Sequence, residues 1–254
     1  MVPWVPPGLI SDPNLPALMI LGLMAGLLAL DDTALAQTWF GQPLPAAILT
    51  GYLFGDPVTG LAVGLPLQLV LAGNLPVGQT FTGDPTSATV AAVGGSLLAG
   101  RPLSPVSVAD TAGTLPLLGW VLLGAGLLSM LGHPLIQAER RINGIWMLKG
   151  LHSLRDGRLA RIENLHNRCL LTAFLRGLVS GILFTLVIHG VWVPLFAHLP
   201  SLLQTSLGTL PLLLPGLGVG TLIDRYGLKN SWHWMALGMV GTFFAARYFS
   251  GVLQ

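Results

Sequence analysis

Residues 113–132 read GTLPLLGWVLLGAGLLSMLG, without one charged side chain. A run of that length and apolarity matches the about 20 residues a helix needs to cross a 30 Å hydrocarbon layer. Comparable runs follow at 169–193, 199–223 and 232–253, and Arg176 and Arg247 are the only formal charges inside them. A water-soluble fold would have to bury all four at once, and the chain lacks the polar residues to do so. Only 9% of its 254 residues are charged, against about 25% in an average soluble domain. Its mean hydropathy is +0.73. Lipid is the solvent such an exterior requires.

The front half is apolar in a different way. Its stretches at 15–30, 44–55, 57–73 and 88–100 fall short of a full span, and Pro43, Pro57, Pro66, Pro76 and Pro85 punctuate them. Short segments interrupted by proline and glycine point to broken helices and re-entrant hairpins, which set irregular backbone around a polar cavity. Ordinary short or tilted helices are the plainer alternative. The fold expected is all-α: a polytopic integral membrane protein with broken or re-entrant helices in the N-terminal half and an amphipathic cytoplasmic segment. Three regions make up one membrane domain: 1–132 with the hairpins, 133–168 as the basic segment, and 169–254 as C-terminal membrane helices.

Small-residue pairs at Gly22/Gly26, Gly51/Gly55, Gly60/Gly64, Gly177/Gly181 and Gly216/Gly220 predict close helix crossings, because packing rather than hydrophobicity holds helices together in lipid. No clean internal repeat is present. Between His133 and Arg168 the basic residues Arg140, Arg141, Lys149, Arg155, Arg158, Arg161 and Arg168 outnumber Glu139, Asp156 and Glu163. That excess assigns the segment to the cytoplasmic side. Its leucines recur at helical spacing, so amphipathic helices lying at the interface are expected. Trp120, Trp192, Trp232 and Trp234 suit the aromatic belts.

Several chemistries are excluded. A net charge of +2 does not suggest nucleic acid as a partner. The single cysteine, Cys169, allows no disulfide within the chain. Phosphate-cradling, metal-binding and nucleophile motifs are lacking, so no cofactor is implied and catalysis by this chain alone is not expected. The first fourteen residues lack the positive region of a cleavable signal, so the first apolar segment is expected to be retained.

Polar groups in the oily front half therefore need a reason. Asp31, Asp32 and Gln37 close the first segment, Gln68 sits within LPLQLVLAG, and Asn74, Gln79 and Asp84 fall in LVLAGNLPVGQTFTGDP. Sugar hydroxyls both donate and accept, and amides mixed with carboxylates meet both needs. These residues are candidates to line a wet pocket for a polyol. Asp31 or Asp32 could instead cap a helix starting near Thr33, and Asp84 the helix after Pro85. Arg176, inside an apolar stretch, would either snorkel to the interface or pair with an acid. His189 and His198 read as interfacial.

The run from 30 to 88 resembles the N-terminal signature of the mannose/fructose/sorbose-family IIC subunit of the phosphoenolpyruvate-dependent sugar phosphotransferase system. The elements that carry it are Asp31/Asp32, Pro43-Leu44, Phe54-Gly55-Asp56, Thr59-Gly60, Leu67-Gln68, Gly73, Val77-Gly78 and Gly83-Asp84. His166 and Arg176 extend it more loosely. The resemblance implies a non-catalytic, multi-pass permease subunit of the bacterial inner membrane that binds and translocates a hexose. It further implies an IID-type membrane partner and cytoplasmic IIA/IIB phosphocarrier proteins, whose histidines carry the phosphoryl group. The sequence departs from the pattern where Gly41-Gln42 replaces a basic pair, Gln68 a glutamate, and Gly83 a proline. Two other readings stand beside it: a regulatory or scaffolding membrane protein of the same fold, and a stand-alone, cation-coupled secondary transporter.

Overall fold

In a computed structural model, the residues described are 15–33, 35, 37–71, 83–103, 111–157, 160–227, 229, 232–233 and 235–240. Among them the chain is helical, with no strand. In order come α1 (Leu15–Thr33), α2 (Pro43–Leu53), α3 (Pro57–Leu71), α4 (Pro85–Leu98), α5 (Thr111–Leu131), α6 (His133–Arg155), α7 (Ala160–Val187), a π turn (Ile188–Trp192), α8 (Val193–Phe196), α9 (Ser201–Leu207) and α10 (Leu210–Tyr226).

α4 is the axis of the fold. Every residue from Thr86 to Leu98 is buried, because α1, α2, α3, α5 and α7 all pack around it. Its composition allows this: Ser87, Ala88, Ala91, Ala92, Gly94, Gly95 and Ser96 leave no long side chain to hold neighbours away. A Cβ at Gly94 would enter the Leu21 side chain, and one at Gly95 would reach Ile188 at 2.8 Å.

Outer helices bury one stripe and show the other to lipid. On α1, Leu21, Ala25 and Leu28 are buried, whereas Leu23 and Leu27 are exposed. α1 crosses α7 on two of the expected glycine pairs: a Cβ at Gly177 would stand 2.9 Å from the Cα of Gly26, and one at Gly181 3.3 Å from the Cα of Gly22. α2 and α3 form a tight hairpin through Gly51 and Gly60, whose added Cβ atoms would strike backbone, and Gly64, whose Cβ would meet the Ala47 Cβ at 2.7 Å. Gly55 makes the turn at φ +82°, and Asp56 caps α3 by accepting from the Thr59 N–H at 2.9 Å and its hydroxyl at 2.6 Å. Gly216 and Gly220 face open space, and it is Gly218 between them that packs, against Leu69.

Among the described residues, three helical runs are long and apolar enough to cross a membrane, Leu15–Asp32, Gly113–Arg155 and Ile162–Phe196, and a fourth candidate is the pair Ser201–Leu207 and Leu210–Thr221, bent by 41°. The first is a correction. Residues 15–30 alone fall short, but α1 gains a turn by continuing through Asp31, Asp32 and Thr33, so it does not stop where the polar residues begin. α2 and α3, with 11 and 15 residues, reach only about 16 and 22 Å at 1.5 Å per residue, and form the short hairpin the prolines foretell. The chain carries α5 onward through Gly132 into one run of 43 residues, and α6 packs back on α7.

Near the opposite end from α6, Trp120 and Trp192 stack with ring centroids 4.2 Å apart. Each indole N–H donates to the other's carbonyl, at 2.7 and 2.8 Å. The two tryptophans thus bind each other and fasten α5 to the π turn, a more specific role than that of separate interfacial anchors.

Candidate functional site

The end of α1 and the start of α4 meet beside the α5–α6 junction, and two of the front-half acids, Asp32 and Asp84, lie there. Asp84 begins α4. One of its oxygens accepts from the Ser87 N–H at 3.1 Å, the N-cap bond the sequence suggested. The other accepts from Arg176 at 2.7 Å. Arg176 reaches out from α7, and its Nε donates to Glu139 on α6 at 2.8 Å. All three side chains are at least nine-tenths buried. Of the two fates open to Arg176, pairing is the one realised, and it takes two acids.

Backbone contacts fix this centre from below. The Asp84 N–H donates to Ser129 O at 2.9 Å, and a Cβ at Gly132 would come within 2.6 Å of the Asp84 Cβ. Gly132 therefore lets the α5–α6 junction pass under the carboxylate. Asp32, at the end of α1, lies within electrostatic range of Arg176, Asp84 and Glu139, and no described residue hydrogen-bonds its carboxylate. Three carboxylates thus share one guanidinium.

Asp31 is turned the other way. Its oxygens accept from the Thr38 N–H at 2.7 Å, the Thr38 hydroxyl at 2.6 Å and the Gly41 N–H at 2.9 Å. Neither Asp31 nor Asp32 caps a helix N-terminus, because both lie in the last turn of α1; Asp31 instead folds the loop leading to α2. That loop meets α4 where the Thr86 hydroxyl donates to Gly41 O. Gly41 is held between α4 and the end of α1, since a Cβ there would reach Leu28 O at 2.8 Å and Asp32 N at 3.2 Å.

Gln68, near the end of α3, accepts from the Leu44 N–H at 3.2 Å, and its amide nitrogen donates to Gln42 Oε1 at 3.5 Å. Gln42 and Gln68, two of the positions at which the sequence departs from the signature it resembles, are therefore neighbours. They form a neutral amide pair. Gln37 is exposed, with φ 53°. Asn74 and Gln79 lie outside the described residues.

Asp32, Asp84 and Arg176 thus converge, with Asp31 and Gln68 joined to them through the loop at Gly41 and Gln42. Glu139 is the residue that reading the sequence missed. Its neighbours Arg140 and Arg141 make it look like one more surface charge, and only its helical phase relative to Arg176 distinguishes it. Buried hydroxyls without a partner lie on the packed helices beyond the centre: Ser87 and Thr89 on α4, Ser180 and Thr185 on α7. The cavities that can be described lie elsewhere, around Trp146, around His189 and along α6. The pocket expected beside Asp31, Gln68 and Asp84 is not among them.

Fold and centre together define a polytopic helical membrane protein built around a short buried helix, whose N-terminus is held by a buried ionic cluster. Comparison with known proteins narrows this class. The family model for the sorbose-specific IIC component of the phosphotransferase system matches residues 16–252, and the chain belongs to that family. It is a IIC-type component of a sugar permease. No curated protein matches it. A solved structure titled "Structure of membrane protein" superposes with a TM-score of 0.71 at 18% identity, covering 94% of this chain and 97% of the other. That likeness concerns the fold.

Proposed function

We propose that this chain is the IIC-type subunit that binds a hexose in the bacterial inner membrane and translocates it, with an IID-type membrane partner, for phosphorylation by a cytoplasmic IIB protein charged by IIA. One observation supports this above the rest: elements of the resemblance far apart in sequence, at Asp31/Asp32, Gln42–Leu44, Gln68 and Gly83-Asp84, are linked through residues 41–44 beside the buried ionic cluster. That centre adjoins the basic α6–α7 hairpin, the end a phosphoryl-donating protein would approach.

Roles divide by what each group already holds. Asp84 has both oxygens engaged and Arg176 has two acids, so these two shape the site, with Arg176 positioning Asp84. Asp32, with no described donor, is the foremost hydroxyl-binding residue, joined by Gln68, whose 3.5 Å bond to Gln42 is long enough to be exchanged for one to a hydroxyl, by Asn74 and Gln79 of the adjoining run in the sequence and by Gln37. Asp31, with both oxygens engaged, shapes the edge. Buried hydroxyls that lack partners in this state, on α4 and α7, suit helices that exchange partners as cargo moves, since an orphaned polar group costs about 1–3 kcal/mol.

The test is reconstitution in proteoliposomes with IID, IIA, IIB and phosphoenolpyruvate. Labelled hexose should accumulate as its phosphate, and Asp32→Asn should weaken sugar binding about tenfold, as expected for loss of one charge-assisted hydrogen bond. The surplus of carboxylate at the centre favours a second reading, cation-coupled transport by the chain alone. Uptake of free sugar without IIB or a phosphoryl donor would establish that reading and overturn the first. Failure to bind any hexose would leave the scaffolding role.

A further inference from the structure

The α6–α7 hairpin carries a second constellation that the sugar site does not use. Trp146 on α6 is flanked by two cations, the Lys149 ammonium 4.6 Å from its ring centroid and the Arg168 guanidinium 5.1 Å from it. They border a cavity of about 590 Å³ that the amides of Asn164 and Asn167 also line. Past Trp146 lies a second cavity of about 290 Å³, walled by Met147, Gly150, Leu151, Leu154 and Ile162. The two share Trp146 and Leu165.

We propose that this hairpin binds one anionic phospholipid, with its phosphate between Lys149 and Arg168 and an acyl chain in the apolar groove beyond Trp146. Two like charges drawn to one ring repel each other, and an anion between them removes that repulsion while accepting hydrogen bonds from both and from the two amides. A free phosphate would fill the polar cavity alone and leave the apolar one empty. Only an amphiphile with the charge at one end satisfies both. Charge complementarity points the same way: the segment from 133 to 168 carries an excess of Lys and Arg, and basic pockets between helices on this side of a membrane are suited to anionic head groups. Met147, Leu151 and Leu154, which line the groove, are exposed, as befits a surface facing acyl chains.

Native mass spectrometry of the delipidated full chain tests this independently of sugar transport. Dioleoyl phosphatidylglycerol should bind at least tenfold more tightly than dioleoyl phosphatidylcholine. Lys149→Gln and Arg168→Gln should each weaken it about fivefold, the loss expected per cation near an anionic head group, while Arg141→Gln, outside the cavity, should not. Gly150→Leu fills the groove without strain, since a Cβ there lies 3.9 Å from Leu165. It should weaken the dioleoyl lipid and spare dihexanoyl phosphatidylglycerol. Equal binding of both head groups, inorganic phosphate competing as well as the lipid, or indifference to Arg168→Gln would overturn the proposal; so would a Gly150→Leu chain that binds both chain lengths as before.

Discussion

Arg176 is tied to acids that lie 92 and 37 residues away in the chain, and its removal would strand both in a buried setting. Breaking a buried pair by deleting one partner costs about 3–5 kcal/mol, because the remaining charge is left without compensation. Arg176→Met should therefore lower the thermal unfolding midpoint in detergent far more than Asp84→Asn, which keeps an oxygen for the Ser87 N–H. Equal midpoints would show that the cluster does not hold α4, α6 and α7 together. The amides at 42 and 68 make a subtler case. Gln68→Glu alone places a half-buried carboxylate beside a neutral amide, whereas Gln68→Glu with Gln42→Arg provides it with a cation. A double-mutant cycle on stability should return a favourable coupling of about 0.5–3 kcal/mol. A coupling near zero would mean that the 3.5 Å contact between them carries no energy.

Helix crossings depend on which glycines face a partner, and the sequence alone cannot rank them. Gly177 lies against α1, where a Cβ would meet Ala25 O at 2.6 Å, whereas Gly216 faces open space. Gly177→Leu should destabilise the protein by about 1–3 kcal/mol through overpacking. Gly216→Leu should be neutral or slightly stabilising, because a helix-interior glycine costs about 0.5–1 kcal/mol relative to alanine. Unfolding midpoints of the two variants, compared side by side, check the assignment. The front-half helices were legible for a physical reason: Pro43, Pro57 and Pro85 each stand at the first position of a helix, where a missing N–H is harmless. The extension of α1 through two aspartates was not legible, because capping propensity favours aspartate at helix starts and only the loop that Asp31 collects makes it useful at an end.

The whole molecule is asymmetric in charge, and that asymmetry orients it. With the basic α6–α7 turn inside, a cysteine at the exposed Asp156, in a Cys169→Ser background, should react with a membrane-impermeant maleimide in inside-out vesicles and stay unlabelled in right-side-out ones. The reverse pattern would invert the topology and move the polar centre to the outer half. Hydropathy and charge bias along the chain decided that this is a helical membrane protein with a punctuated front half and a basic hairpin, because solvation by lipid acts on each segment separately. Its spacing of Asp, Gly, Pro and Gln also marked the family. Packing alone decided that α4 is the buried axis, that Glu139 is the second acid on Arg176, and that Gln42 meets Gln68. Those contacts join residues dozens of positions apart, and no local preference of one segment encodes the distance to another.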